Sequence, residues 1–296
     1  MAEKDVTQKL LEDYPDVFAD IVNVLVYDGE DMVNADDLET TGAVSQYKAA
    51  KVIHGQERDI AKYWTKGQVR FGLLGLENQS SRDPDIALRV IGYDGAAYRD
   101  ELNHGDDRYP VVTLVLYFGT DHRWGQKSRR LRDVVGTPDK KLGRFIHDYK
   151  ANVFEIAWLN DETVAKFKSD FRIVADYFVQ IRKNHKYVPS AEEMKHVDEV
   201  LNLMAAISGD RRFEMKQNEI ASERKVTKME DWLTKALDGA ADKAANKANA
   251  KKLVEYVESL MERMGLSLED ACYALNSTVE EYKKAKKLLT ETVVAV

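Results

Sequence analysis

Several residue types are scarce in this chain, and each scarcity excludes a class of protein. Cys272 is the only cysteine among 296 residues, which excludes an internal disulfide framework and a cysteine-rich zinc site. The six histidines are scattered without the short spacing of metal-binding histidines, so a zinc-peptidase type of centre has little support. Only five prolines and 16 glycines are present, and we therefore expect a folded chain with little disorder.

Long apolar runs and a strong positive charge are also missing. No segment approaches the length of a membrane span, and residues 1–14 lack the basic start and apolar middle of a secretion signal. We therefore expect a cytoplasmic protein with no membrane partner. The formal net charge of −7 lies entirely in residues 1–220. A strongly basic nucleic-acid-binding protein would differ, but a site that collects divalent metal ions is itself built from carboxylates.

The N-terminal half carries alternating helix and strand signals. Apolar residues at helical spacing predict one or two helices up to Gly29, interrupted near Pro15. Residues 30–56 are polar and weakly patterned, which indicates a loop or a short strand. A hairpin follows, with strands at 57–64 and 69–79 around a turn at 65–67. A helix then begins after Pro84 and continues to about Leu102.

The next segments complete an α/β domain. Residues 108–119 and 152–159 are predicted interior strands because they are apolar on both faces. Helices are expected at 161–183 and 190–208. The order of elements predicts a mixed central sheet flanked by helices, which we assign to residues 1–213.

Residues 214–296 form a predicted all-helical C-terminal extension. It begins with a long, Ala-rich helix interleaved with charge, followed by two short helices that open with capping boxes at Ser267 and Ser277. The two short helices suit a helix-turn-helix that binds DNA. An oligomerisation segment or a solvated helical tail is the alternative, favoured by the neutral net charge of the segment and by a turn that lacks glycine. Leucines spaced along the long helix favour a homodimer or a higher homo-oligomer.

Acidic and amide side chains meet where the predicted hairpin ends. Leu73, Gly75, Glu77 and Gln79 share one face of the second strand, and Asp59 belongs to the first strand. Neighbouring antiparallel strands bring side chains to about 5 Å from each other, so Asp59 and Glu77 together can hold one Mg²⁺ or Mn²⁺ ion. The simpler interpretation is that these acidic residues are solvated surface groups at strand ends.

Five ordered segments resemble a known family: ERDIAKYW, LLGLENQSSRDPDIALRVIGYDGAAYR, RYPVVTLVLYFG, NVFEIAWL and FKSDFRIVADYFVQIRKN. They are similar to the recombination-promoting nuclease and putative transposase family of the PD-(D/E)-X-K superfamily, which has the restriction-endonuclease-like fold. The resemblance covers about residues 10–210. It implies a Mg²⁺- or Mn²⁺-dependent DNA endonuclease, a phosphodiester hydrolase, linked to recombination or mobile elements.

The resemblance also assigns roles to individual residues. It implies that Asp59 and Glu77 are catalytic metal ligands, that Gln79 occupies the position of the superfamily's lysine, and that Asp20 is a further metal ligand on the first helix. Asp20 is equally well interpreted as an ordinary residue on the polar face of the first helix. The proline of the superfamily motif is Arg58 here, and a glutamine cannot carry the charge of a lysine. The alternative is therefore a catalytically inactive DNA-binding or scaffold protein that retains the nuclease fold.

Basic residues supply the candidate contacts to DNA. Arg89 and Arg99, on the helix that follows the candidate site, are expected to meet phosphates. Arg129 and Arg130 lie in a basic insertion near Trp124, and arginines interleaved with an aromatic residue suit backbone and base contacts. Most such charged runs are simply solvated.

Overall fold

The computed structural model describes residues 10–41, 44–49, 52–57, 59–67, 69–104, 108–125, 129–136, 139–213 and 228–290. The chain divides into two compact units. The described part of the first unit comprises residues up to 213 together with 228–230, and that of the second unit comprises 231–290.

A five-stranded mixed sheet forms the centre of the first unit. Its strands are ordered β1-β4-β5-β6-β7, and β2 pairs with β3 in a separate two-stranded sheet. The seven strands are β1 (Leu38–Thr40), β2 (Val44–Ala49), β3 (Val52–Glu57), β4 (Ile60–Lys66), β5 (Val69–Gln79), β6 (Val111–Tyr117) and β7 (Asn152–Glu155). The β1–β4 and β4–β5 pairs are antiparallel, and the β5–β6 and β6–β7 pairs are parallel.

The two central strands are buried on both faces. In β5 the six residues from Gly72 to Glu77 are all buried, and Leu76 is fully enclosed. In β6 Leu114, Val115 and Leu116 are enclosed in the same way. Apolar residues on both faces are typical of parallel strands that helices cover from both sides.

Six α-helices are described in the first unit up to residue 213: α1 (Pro15–Tyr27), α2 (Ile86–His104), α3 (Leu131–Val135), α4 (Asp161–Lys166), α5 (Phe171–Asn184) and α6 (Val197–Ser208). Helix α1 begins with a proline at its first position and ends at Asp28, whose φ of 55° lies in the left-handed region. A short 3₁₀ turn, Leu11–Asp13, precedes α1. Helix α2 is the crossover connection between the parallel strands β5 and β6.

Adjacent residues of β5 link the sheet to different layers of the domain. Glu77 contacts Arg89 in α2, whereas Asn78 contacts Glu12 in the 3₁₀ turn. Successive residues of a strand point to opposite faces. The 3₁₀ turn and α2 therefore lie on opposite faces of the sheet, and the end of β5 touches both.

The described residues of the second unit form helices joined by short connections. It contains α8 (Leu268–Ala274), α9 (Val279–Thr290) and most of α7 (Met229–Met264). These helices share an apolar cluster of Ala250, Val254, Val257, Ala271, Cys272, Tyr282 and Ala285. Helix α8 begins with a cap in which the Ser267 hydroxyl accepts from the Asp270 N–H at 3.1 Å, as its capping box predicts.

The predicted fold class is confirmed: a mixed α/β sheet is flanked by helices and followed by helices at the C-terminus. Several elements differ in detail. Residues 30–56, predicted as a loop or short strand, contain β1, β2 and β3. The predicted helix at 161–183 is divided into α4 and α5, and the predicted strand at 152–159 ends at Glu155 and continues as a 3₁₀ turn.

The predicted boundary between residues 213 and 214 stays a prediction, because residues 214–227 lie outside the described residues. Within the part of the chain that the structure describes, the helices are too short or too polar to cross a membrane.

An ion pair between a buried lysine and a half-buried aspartate attaches the 3₁₀ turn to the sheet. The Lys62 side chain on β4 is fully buried, and its Nζ donates to Asp13 Oδ1 at 2.8 Å and to Thr40 Oγ1 at 3.1 Å. Removing one partner of such a pair leaves a buried charge without compensation.

We expect Asp13→Ala to lower the free energy of unfolding by about 3 kcal/mol, because the Lys62 ammonium would keep only one neutral acceptor. Asp13→Asn, which retains an oxygen acceptor, should lose less. Chemical denaturation followed by tryptophan fluorescence measures both. Asp133→Ala, at an exposed acid of α3, is the control, and an Asp13→Ala protein as stable as this control would contradict the analysis.

Candidate active site at the end of the central hairpin

The β4–β5 hairpin brings Asp59, Glu77 and Gln79 together. Ile60 of β4 pairs with Leu76 of β5, so one further step of this antiparallel register sets Asp59 beside Glu77. The N–H of Asn78 donates to Asp59 Oδ2 at 2.7 Å and fixes that carboxylate against the strand. The residues that the sequence analysis selected therefore meet at one strand end, and their catalytic roles stay predictions.

The carboxylate of Glu77 is the most enclosed acid of this group, with 2% of the residue exposed. Its Oε1 accepts from Arg89 Nη2 at 2.5 Å and from Gln79 Nε2 at 3.2 Å. Its Oε2 is buried and has no hydrogen-bond partner among the described residues. Burial, followed by the negative charge of Asp59, raises the pKa of Glu77 to about 7, although the Arg89 charge acts in the opposite direction.

A second buried acid, Glu12, was missed by the sequence analysis. It is fully buried in the 3₁₀ turn, where Oε1 accepts from Asn78 Nδ2 at 3.0 Å. Its Oε2 has no hydrogen-bond partner among the described residues. Burial raises the pKa of Glu12 to about 7, and the charge of Asp59 adds to this effect. Pro15 interrupts the helical pattern, and this interruption is the sequence signal that Glu12 lies outside α1.

Asp20, the acid expected on the first helix, lies against a different segment. Its Oδ2 accepts from the backbone N–H groups of Lys168 and Ser169 at 2.9 and 2.7 Å. These bonds fix the connection between α4 and α5 to α1. Burial raises the pKa of Asp20. The contacts of Asp20 account for its burial, and its role as a metal ligand stays a prediction.

Arg89 and Arg99 occupy different surroundings on α2. Arg89 bridges two acids, because its Nη1 donates to Asp83 Oδ2 at 3.0 Å while its Nη2 holds Glu77. Its Nη2 also lies 3.1 Å from the Tyr93 hydroxyl. Arg99 is exposed, ten residues further along the helix, or about 15 Å. Binding of phosphate by these two arginines stays a prediction.

The basic insertion is attached to the domain. Arg129 donates to the Val153 carbonyl at 3.1 Å, and Arg130 pairs with Asp148 at 2.6 Å. The expectation that Trp124 helps to contact DNA is wrong, because the residue is 3% exposed and packs edge-on against Tyr117 at 5.0 Å. An enclosed indole ring cannot stack on a base. Contacts of Arg129 and Arg130 with DNA stay predictions.

A cavity of about 430 Å³ lies beyond the carboxyl ends of β5 and β6. Its wall includes Ser80 and Arg82 after β5, Thr120 and His122 after β6, and Tyr177 of α5. The carboxyl ends of parallel strands are a common position for ligands in open α/β sheets. Local sequence patterns do not predict this cavity, because α5 and α6 close it from distant parts of the chain.

Two carboxylates, rather than a cluster, define the candidate metal site. Across the described ranges, groups of three or more His, Cys, Asp or Glu side chains that could hold a metal ion are not found. Mg²⁺ commonly takes one or two protein carboxylates and completes its shell with water and phosphate oxygens. The enclosed Oε2 of Glu77, which lacks a hydrogen donor within the described residues, is an acceptor that suits such an ion.

A comparison with known protein families covers the segment that contains the end of β5. Residues 65–208 match the model of the family described as "Putative transposase, YhgA-like". The matched segment belongs to this family, which is part of the PD-(D/E)-X-K nuclease-like superfamily, and the resemblance inferred from the sequence is confirmed there. The match contains Glu77, Gln79 and Arg89 but begins after Asp59. No curated protein and no solved structure matches the chain significantly.

Replacement of Glu12 should change how stability depends on pH. A carboxyl whose pKa is about 7 in the folded state and 4.5 in the unfolded state keeps its proton longer when folded, so stability falls as the pH rises from about 4.5 to 7. Glu12→Gln stays neutral and loses this contribution, which amounts to about 3 kcal/mol at most.

Denaturation of the wild type and Glu12→Gln at pH 5, 6 and 7.5 measures the difference. The variant should gain stability relative to the wild type as the pH increases, while Glu30→Gln at an exposed site should follow the wild type. Parallel curves for Glu12→Gln and the wild type would show that Glu12 ionises normally.

Proposed function

We propose that this protein is a divalent-metal-dependent DNA endonuclease that hydrolyses phosphodiester bonds, with Asp59 and Glu77 as ligands of Mg²⁺ or Mn²⁺. The observation that carries the proposal is the buried Glu77 carboxylate at the end of β5. It lies beside Asp59, and one of its oxygens has no hydrogen donor within the described residues. An enclosed acid next to a second acid is costly unless a cation or a proton compensates it.

The side chains of the chain itself hold and orient the reactants in this proposal. The Asn78 N–H fixes Asp59, and burial restricts Glu77 to one orientation. The Gln79 amide shares the face of Glu77, where its hydrogen-bonding groups can orient a water molecule or a phosphate oxygen. A bound divalent ion supplies charge stabilisation for the phosphoryl group and lowers the pKa of a water ligand.

Two observations support DNA as the substrate. The family description names a transposase, and transposition acts on DNA. The cavity beyond β5 and β6 is lined by Ser80, which follows Gln79 in the chain, and by Arg82, so it offers a basic side chain to a phosphate near the end of β5. The net charge of −7 is compatible with this substrate because the metal ion neutralises the negative site.

An inactive relative that binds DNA or acts as a scaffold is the second candidate function. The neutral Gln79 favours it, since an amide can neither accept a proton at neutral pH nor supply positive charge to a phosphate. The two candidates differ in one outcome, which is turnover of DNA.

We expect the purified protein to nick supercoiled plasmid in Mg²⁺ or Mn²⁺ and to lose activity with a chelator. Asp59→Asn and Glu77→Gln should each reduce the rate at least about 100-fold, because each removes a negative ligand oxygen from the ion. Agarose gel electrophoresis of a time course measures the rate, and calorimetric titration with Mn²⁺ measures binding.

Matched substitutions act as controls. Glu101→Gln replaces another buried glutamate of the same domain, and Asp85→Asn replaces an exposed acid before α2. Both variants should nick plasmid at the rate of the wild type. If the wild type binds DNA and releases no product with either metal, the scaffold function is the correct one. If all variants cleave alike, the activity does not belong to this site.

A further inference from the structure

Arg89 has a position that the proposed function does not use. We propose that Arg89 is the positioning residue of this site: it orients Glu77 and supplies the positive charge that the neutral Gln79 cannot supply. This inference rests on the proposed nuclease function. The sequence predicts that Arg89 contacts a phosphate; in this inference it acts instead through Glu77.

The guanidinium group of Arg89 is held in one orientation by its neighbours. Its Nη2 donates to Glu77 Oε1 at 2.5 Å and its Nη1 donates to Asp83 Oδ2 at 3.0 Å. A planar guanidinium held by two carboxylates has little rotational freedom. Since Tyr93 Oη also lies 3.1 Å from Nη2, Arg89 is fixed from three directions and in turn fixes Glu77.

Arg89 and Gln79 both donate to the same oxygen atom of Glu77. Gln79 Nε2 lies 3.2 Å from Glu77 Oε1, the oxygen that Arg89 holds. A side chain at position 79 therefore reaches the place where the charge of Arg89 acts. Gln79 donates a neutral hydrogen bond to this oxygen, and Arg89 on α2 donates a charged one.

The charges at the two candidate metal ligands leave one negative charge to be offset. Asp59 and Glu77 contribute two negative charges, and the phosphodiester contributes one. A divalent ion offsets two of these three charges. A positive charge beside Glu77 offsets the third, and it acts strongly there because that carboxylate is buried. Arg89 supplies this charge through its Nη2, which is ion-paired with Glu77, while its Nη1 stays paired with Asp83.

A purely structural role for Arg89 is the competing explanation. The ion pairs with Glu77 and Asp83 also attach α2 to the end of β5. Loss of this attachment would lower stability and would affect cleavage only by unfolding the protein. Moving the charge to position 79 separates the two explanations, because a lysine there restores the charge on Glu77 without restoring the bridge to Asp83.

The test compares wild type, Arg89→Gln, Arg89→Lys, Gln79→Lys and the double variant Arg89→Gln/Gln79→Lys. Cleavage rates at saturating plasmid give kcat, and their dependence on DNA concentration gives KM. We expect Arg89→Gln to lower kcat about 100-fold with KM within about threefold of the wild type. The double variant and Arg89→Lys should each have a kcat at least about tenfold higher than that of Arg89→Gln. Thermal denaturation follows stability in parallel.

Arg172→Gln is the matched control. Arg172 lies on α5, and its side chain is 41% exposed, compared with 39% for Arg89. It pairs with Glu192 at 3.0 Å. Its substitution should leave kcat unchanged. If Arg89→Gln does not fold, Arg89→Lys and the double variant carry the test, since both retain positive charge next to Glu77 and both should cleave.

Three outcomes overturn the inference. If Arg89→Gln lowers the melting temperature but the folded variant keeps the kcat of the wild type, Arg89 is structural. If Arg89→Gln raises KM and leaves kcat unchanged, Arg89 binds a DNA phosphate. In both cases the wild type still cleaves, so the nuclease function survives. If the wild type itself cleaves no DNA with Mg²⁺ or Mn²⁺, the nuclease function fails and the inference fails with it.

Discussion

Burial of the Glu77 carboxylate is the constraint on which the rest of this site depends. The residue lies near the end of β5, directly after a run of apolar residues and glycines, and its neighbours in space include a second acid, Asp59. Water can solvate it only slightly, so the protein must supply hydrogen donors and positive charge. The Arg89 guanidinium and the Gln79 amide do so at Oε1 and leave Oε2 as an acceptor. The ion pair between Arg89 and Glu77 therefore joins α2 to the end of β5.

Much of this arrangement could be predicted from the sequence, because it depends on local periodicity. Alternation along β5 set Glu77 and Gln79 on one face, and the short turn around Gly67 fixed the neighbouring strand that leads to Asp59. The helix after Pro84 followed from its start signals. Such features involve residues close in the chain, where rules of pattern and geometry are strong.

The remaining features depend on tertiary contacts that a single sequence does not encode locally. Glu12 enters the core because the chain turns before Pro15, and its periodicity gives no sign of that turn. Trp124 lies in a basic segment and yet packs in the core against Tyr117. Strands β1 to β3 are polar and short, so they lack the apolar alternation that identifies a strand. The partners of Arg89 depend on a side-chain conformation, which composition cannot specify.

The position of Asn78 has a consequence for how this domain can change over time. Its side chain holds Glu12 on one face of the sheet, and its backbone holds Asp59 at the strand end. Asn78 thus connects the 3₁₀ turn at Leu11–Asp13 to Asp59. Both the turn and Asp59 lie outside the family match at 65–208, whereas Asn78 lies inside it. Divergence in the N-terminal segment is therefore not independent of the hairpin: a relative that remodels its first helix must also find a new partner for residue 78.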